Sequence, residues 1–411
     1  MMKAGEESSR KTGNGRYVLV FIVSVVTILS LVARASGWGF TSDDFLNYLS
    51  PWFNEIDELG KASLAQQVGN YGIPYQIIIL VLTYLPIPSI AGYKLVSVAF
   101  DYLLACEAWR LTRRMTGSDM LGLACYSLIV FLPPVVLNSS TWAQCDSIYA
   151  FFCLLSLRLL LFGSSRLSYA CLGVALAFKL QAIFIFPFFV LHFLVSRDYP
   201  SSRFGWTALS FYGMSLPGII ARGDILAPFV IYFNQTTIDP SVAIDFPGFW
   251  AMFFNIDSGS TFLFSLAVTA VVLFLIGALV ALSKASAEGY SPKGYLMLAT
   301  LIVWTCVEFL PSMHQRYGYL CLVLLTIALV VTREKLVASV WLASLIATIV
   351  SYSAYLYRMP ELTMWFQTVL FVVAVLMFVA WVRFACQVLG EYAGHLMASA
   401  DRGCQGKGEL Q

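Results

Sequence analysis

Tyr17–Ala35 reads YVLVFIVSVVTILSLVARA. An unbroken apolar run of roughly 20 residues matches the hydrocarbon thickness of a bilayer, so this stretch is read as a membrane-spanning helix. Residues 1–16 before it are polar and basic, with Lys3, Arg10, Lys11 and Arg16 against Glu6 and Glu7, which places a short N-terminal tail in the cytoplasm. The run is too long and too late for a cleaved signal peptide. After it comes Gly37–Glu55, GWGFTSDDFLNYLSPWFNE, which carries the adjacent carboxylates Asp43 and Asp44. Those acids fall on the outer side.

The same apolar character fills the chain. Its 411 residues are 59% hydrophobic and 12% charged, where a soluble domain carries about 25% charge. Only helices or closed barrels satisfy their backbone groups in lipid, and continuous apolar runs without strand-like alternation select helices. A net charge of +2 gives no footprint for nucleic acid, and the basic residues sit in short clusters between apolar runs as topology signals do. Most of the nine cysteines, Cys106, Cys125, Cys153, Cys171, Cys306 and Cys321 among them, fall inside apolar runs. Without CxxC or metal-ligand spacing, neither a zinc site nor a disulfide framework is expected.

Read in order, the chain predicts an all-α polytopic membrane bundle of about twelve transmembrane helices. It forms a single domain over residues 1–411, with no soluble domain and no internal repeat. A first extracytoplasmic loop covers residues 36–74, and a basic cytoplasmic tail covers 384–411. Interfacial helices on the extracytoplasmic side are expected at Trp52–Gln67 and at Tyr75–Leu85, the latter too short to span and ended by Pro86 and Pro88. The next span, Ser89–Trp109, ends in Arg110, Arg113 and Arg114, a strong inside signal. Later spans are read at Met120–Leu137, Ile148–Phe162, Leu167–Phe178, Ala182–Val195, Trp206–Ile220, Phe262–Leu282, Tyr295–Leu310, Leu320–Thr332, Trp341–Tyr357 and Met364–Arg383. Arg222–Asp257, with Asn234, Gln235, Thr236, Asp239 and Asp245, is a long mixed segment containing an interfacial stretch.

Ionisable groups facing a membrane are costly and mark function by default. Asp43 and Asp44 form the first candidate: one of two neighbouring carboxylates could take a proton from a hydroxyl, or the pair could cap a helix. Trp142, Gln144 and Asp146 end a span and could bond sugar hydroxyls or orient a phosphate; an interfacial Trp belt is the alternative. Lys179 and Gln181 sit at a hinge between two short apolar arms, where the lysine suits an anionic ligand or caps the turn's carbonyls. His314, Arg316 and Tyr317 in HQRYGY form an anion clamp or an interfacial anchor. Glu308 lies near the outer end of a span. Asp101 and Glu107 are read as polar contacts between helices. Asn138-Ser-Ser and Asn234-Gln-Thr match the glycosylation sequon.

Taken together, Asp43-Asp44 after the first span, the proline-bounded surface helix, WAQCDSIY, the hinge FKLQ and HQRYGY resemble the multispanning GT-C glycosyltransferases. The likeness is nearest to the bacterial branch related to GPI mannosyltransferases, and more distant to the glucosyltransferases that extend the dolichol-linked oligosaccharide. It covers most of the chain. The resemblance implies a polyprenyl-phosphate-linked sugar donor, a lipid-linked or surface glycan acceptor, and an inverting single displacement. Asp43 or Asp44 would be the general base, with Asp44 favoured. Lys179, His314 and Arg316 would hold the lipid phosphate; Gln144, Asp146, Trp142, Gln181 and Tyr317 would contact sugar or acceptor. Many members of that family carry Glu where this chain has Gln315, so no acidic role is assigned there. No cofactor is implied, and a divalent cation stays open. A bacterial inner membrane is expected, or the ER membrane in a eukaryote. Rival readings are a lipid or oligosaccharide transporter or flippase, and a polysaccharide polymerase or ligase.

Overall fold

The computed structural model describes residues 2–196, 198–238, 246–253, 258–284, 291–357 and 360–408, with side chains described for 17–196, 198–233, 246–253, 262–281, 291–357 and 368–394. Arg197, Asp239, Asp245 and Asp257, and the side chains of Asn234, Gln235 and Thr236, lie outside these. Among the described residues the chain is helical, without strands. The order is α1 (Met2–Ala35), α2 (Ser50–Leu59), α3 (Ile73–Thr83), α4 (Ser89–Thr116), α5 (Asp119–Phe131), α6 (Pro133–Val136), α7 (Asp146–Phe162) and α8 (Ser165–Phe178). It continues with α9 (Phe186–Ser196), α10 (Arg203–Arg222), α11 (Ala227–Ile238), α12 (Ser258–Lys284), α13 (Pro292–Phe309), α14 (Tyr319–Thr332), α15 (Lys335–Tyr357) and α16 (Pro360–Gly408).

This is a membrane-embedded helical bundle with several crossings. By length and apolar character, five described helices can cross a membrane, and up to seven if each bent pair is one span. The expected count of about twelve is not reached on those criteria: α7, α8, α9 and α14 have only 17, 14, 11 and 14 residues, and α13 does not pass either. The span expected at Met120–Leu137 is bent by 52° between α5 and α6. Leu132 precedes Pro133 and Pro134, which remove backbone donors and push Leu132 out of the helical region. The short helix α3 and its proline-rich end match expectation. The predicted span end at Arg383 does not: α16 passes it without a break, and Phe384, Val388 and Tyr392 are buried against the bundle.

Two helices are buried all round over most of their length and, Glu308 apart, carry no charge there, which marks the centre of a bundle. Every residue of α13 from Leu296 to Phe309 is buried, as are Tyr319 to Ala328 of α14. The loop joining them, 310–318, therefore emerges at the middle of the molecule. Polar contacts inside the apolar mass fix the helices around it. Arg34 of α1 pairs with Asp101 of α4 at 2.9 Å and donates to the Val130 carbonyl at 2.8 Å. Glu107 pairs with Arg158 of α7. Asp101 and Glu107 are thus helix–helix contacts, as expected.

Candidate functional site

Asp44 stands where a helix begins abruptly. Ser42 caps that start, its hydroxyl accepting from the Phe45 N–H at 3.2 Å, while Asp44 makes no capping bond. The carboxylate is free of that role and turns to four other donors. Oδ2 accepts from Trp142 Nε1 at 2.9 Å, Gln144 Nε2 at 3.0 Å and Arg316 Nη1 at 3.4 Å. Oδ1 accepts from the Tyr355 hydroxyl at 2.6 Å. Asp43 is half-buried and does not line the cavity that Asp44 faces.

The segments that meet Asp44 have unusual backbones. Phe45–Leu49 and Leu137–Thr141 are single π turns, a feature that recurs at functional sites. Ala143 has φ 63° and Ser312 φ 59°, left-handed conformations that cost an L-residue about 1–2 kcal/mol. The turn at Ala143 lets Trp142 and Gln144, on either side of it, reach the same carboxylate oxygen. Lys94, a lone cation in the first turns of α4, donates to the carbonyls of Gly37, Trp38 and Phe40 at 3.1, 2.8 and 2.8 Å and so secures the approach to Asp44.

These groups surround a cavity of about 540 Å³. Asp44, Trp142, Gln144, Lys179, Gln181, His314, Arg316 and Tyr317 all line it, so the scattered motifs do converge. Asp146 does not line it. That acid is fully buried behind the wall, paired with Lys179 and accepting from Asn138 Nδ2 at 2.7 Å. Its expected contact with sugar is replaced by a grip on Lys179. Asn138, buried in that bond, is no glycosylation acceptor in this fold. Trp142 is buried beneath Arg316, whose guanidinium lies 5.6 Å from its ring centre, and so is not part of an interfacial belt.

Lys179 occupies an extended residue between α8 and the 3-10 turn Leu180–Ile185. Its ammonium also lies 5.0 Å from the Tyr71 ring centre. Tyr71 reaches that place because Gly72 packs on the end of α8, where a Cβ would meet the Ala177 carbonyl oxygen at 1.9 Å. Burial pushes the Tyr71 phenol well above its ordinary range, so it stays a donor. It donates to Gln144 Oε1 at 2.6 Å, which turns the amide N–H₂ toward Asp44. Two buried polar atoms of the cavity residues have no hydrogen-bond partner among the described residues: Arg316 Nε and Gln181 Oε1. A buried group left so is costly unless something binds it.

Tyr355, Lys94 and Tyr71 were not singled out in the sequence. Lys94 carried a signal, a lone charge inside an apolar run; Tyr355, in SYSAYLY, looked like an ordinary aromatic helix end. Beside the polar cavity lies an apolar groove of about 510 Å³, walled by Leu176, Leu180, Ile183, Phe186, Phe211 and Tyr232 among others. Leu180 thus faces the groove while its neighbours Lys179 and Gln181 face the polar cavity. Among the described residues no group of three or more His, Cys, Asp or Glu is placed to hold a metal ion.

Comparison with known proteins adds no family: no protein-family model matches the chain, and no curated protein matches it.

Proposed function

We propose that this chain is a GT-C type glycosyltransferase that moves a hexose, mannose or glucose, from a polyprenyl-phosphate donor to a lipid-linked or surface glycan acceptor. The observation that carries the reading is Asp44, a carboxylate in a polar cavity 3.4 Å from Arg316, with Lys179 and His314 in the same wall. Asp44 takes the proton of the acceptor hydroxyl. The acceptor oxygen attacks the anomeric carbon, the bond from that carbon to the phosphate oxygen breaks, and the phosphate leaves with the electron pair. Arg316, His314 and Lys179 receive the leaving charge; the unpaired Arg316 Nε and Gln181 Oε1 suit a phosphate oxygen and a sugar hydroxyl. The isoprenoid tail fits the apolar groove across the FKLQ hinge. A general base gives typically 10²–10⁴-fold.

The finer topology belongs to the same reading: about twelve crossings, the short helices included, and a cavity on the extracytoplasmic face of a bacterial inner membrane, or of the ER in a eukaryote. A transporter is the second reading, favoured by the two bent helix pairs, at 52° and 99°, since broken spans often serve transport sites.

The test uses the full chain purified in detergent and reconstituted in vesicles with radiolabelled polyprenyl-phosphate mannose or glucose and a glycolipid extract. Label is expected to move to a new product, with Asp44→Asn lowering the rate at least 100-fold and Asp43→Asn far less. Label crossing the vesicle membrane with no new product would instead make the chain a transporter.

A further inference from the structure

Asp44, Tyr48 and Trp52 fall at i, i+4 and i+8 of one unbroken helical run, residues 43–59, and all three line the cavity. From Tyr48 into the α-helical turn at Trp52 the chain advances ~6 Å along the axis, and from Asp44 to Tyr48 less, because the wider π turn Phe45–Leu49 lies between them; each step is on the order of one pyranose unit. The two rings lie next to each other, their centres 6.1 Å apart and tilted by 50°. Tyr48 is 53% exposed, while Trp52 is held from behind. A Cβ on Gly69 would come within 2.7 Å of the indole, so the bare backbone of Gly69, itself at φ +75°, closes on that ring. Tyr71 meets Trp52 edge-on, with centres 5.5 Å apart. The amides of Asn70 and Gln144 line the same cavity.

A pyranose offers an apolar face of C–H bonds and a rim of hydroxyls. Aromatic faces suit the first, giving large apolar contact from a rigid side chain, and amides suit the second. We infer that the Tyr48–Trp52 stripe is an acceptor subsite for an oligosaccharide, with the reacting sugar at Asp44, the next ring on Tyr48 and the third on Trp52. The identity of the reacting end rests on the transferase reading; the platform itself does not.

Acceptors of one, two and three linked hexoses on the same carrier, given to the full chain in detergent with the polyprenyl-phosphate donor, test the length dependence. In the wild type kcat/KM is expected to rise about tenfold from one ring to three, from two added ring contacts. The ratio of long to short acceptor falls toward one in Tyr48→Ala and Trp52→Ala, and Trp52→Phe, which keeps a ring, lies between. Tyr48 makes the exposed contact, so its variant reports even if Trp52→Ala unfolds the loop. A flat wild-type profile, or a slope that both alanine variants keep, overturns the subsite.

A second readout needs no turnover. Asp44→Asn protein is titrated with hexose mono-, di- and trisaccharides, and its tryptophan fluorescence is compared with that of the same protein carrying Trp52→Phe. A saturating difference with the longer sugars alone is expected. That signal without transfer keeps the platform and removes the transferase reading. Transfer with a flat profile and no signal removes the platform and keeps the transferase. A Trp52 change produced by vesicles, and indifferent to sugar, makes the stripe a membrane anchor and overturns it.

Discussion

Asp44 and Asp146 are both buried acids with cationic partners, yet their tasks differ. Asp44 meets its partner Arg316 at the long distance of 3.4 Å inside an open cavity. Asp146 lies closed off behind the wall, where it holds Lys179. Removing one member of a closed pair strands a buried charge and costs about 3–5 kcal/mol, while replacing both members is often neutral. Lys179→Met is therefore expected to lower Tm sharply in a detergent thermal shift, and Lys179→Met with Asp146→Asn to recover most of it. On the transferase reading the double variant still binds the phosphate donor poorly, seen as a raised donor KM. Recovery of both stability and donor KM would confine Lys179 to a structural part. The pair Asp43-Asp44 stood out in the sequence, because charge is scarce there. Which of the two faces the cavity did not, since it depends on Ser42 taking the cap and on a π turn that composition does not mark. Asp146 was visible as a polar neighbour of Trp142, but its partner lies 33 residues away and only folding joins them.

The elements explain why scattered residues converge. The loop 310–318 opens at the centre because the two helices it joins are buried all round, and that apolarity was readable from the sequence. Helix number was harder to read. Apolar runs in 14-residue helices such as α8 and α14 look like spans in a sequence, and only the fold shows how short they are. The bend after Phe131 has its cause in plain view, since Pro133 and Pro134 interrupt the run. Backbone strain, by contrast, leaves no mark on the sequence: Ala143 is an ordinary residue type at φ 63°. That conformation is open to glycine and strongly disfavoured for β-branched side chains. Ala143→Gly is expected to keep transfer within about tenfold, relieving about 1 kcal/mol of strain. Ala143→Val swings Trp142 and Gln144 off Asp44 and lowers kcat at least as far as losing one oriented donor does, about 10²-fold. Equal activity in the two variants, measured with the same acceptor, would mean that the turn does not position the site.

Across the whole molecule, charge separates along α4. Near its first turns Lys94 binds the loop that carries Asp44, and at its far end stand Arg110, Arg113 and Arg114. Lys94 and Arg114 are 20 residues apart on this helix, ~30 Å along its axis, about the hydrocarbon thickness. Other basic groups gather at the arginine end. Arg113 pairs with Asp119 at the start of α5, a crevice there is lined by Leu121, Arg333 and Lys335, and Lys293 pairs with Glu334 beside it. On the proposed topology this cluster faces the cytoplasm, by the positive-inside rule, and Asp44 and its cavity lie on the other side. Single cysteines can report this. Asn54, exposed on α2, and Arg114 are each replaced by cysteine after Cys106, Cys386 and Cys404 have been changed to serine. In intact cells a membrane-impermeant maleimide is expected to label Asn54→Cys at once and Arg114→Cys only after permeabilisation. The reverse pattern would turn the cavity toward the cytoplasm, where nucleotide-activated sugars are made, and a polyprenyl-phosphate donor on the outer face would no longer reach Asp44.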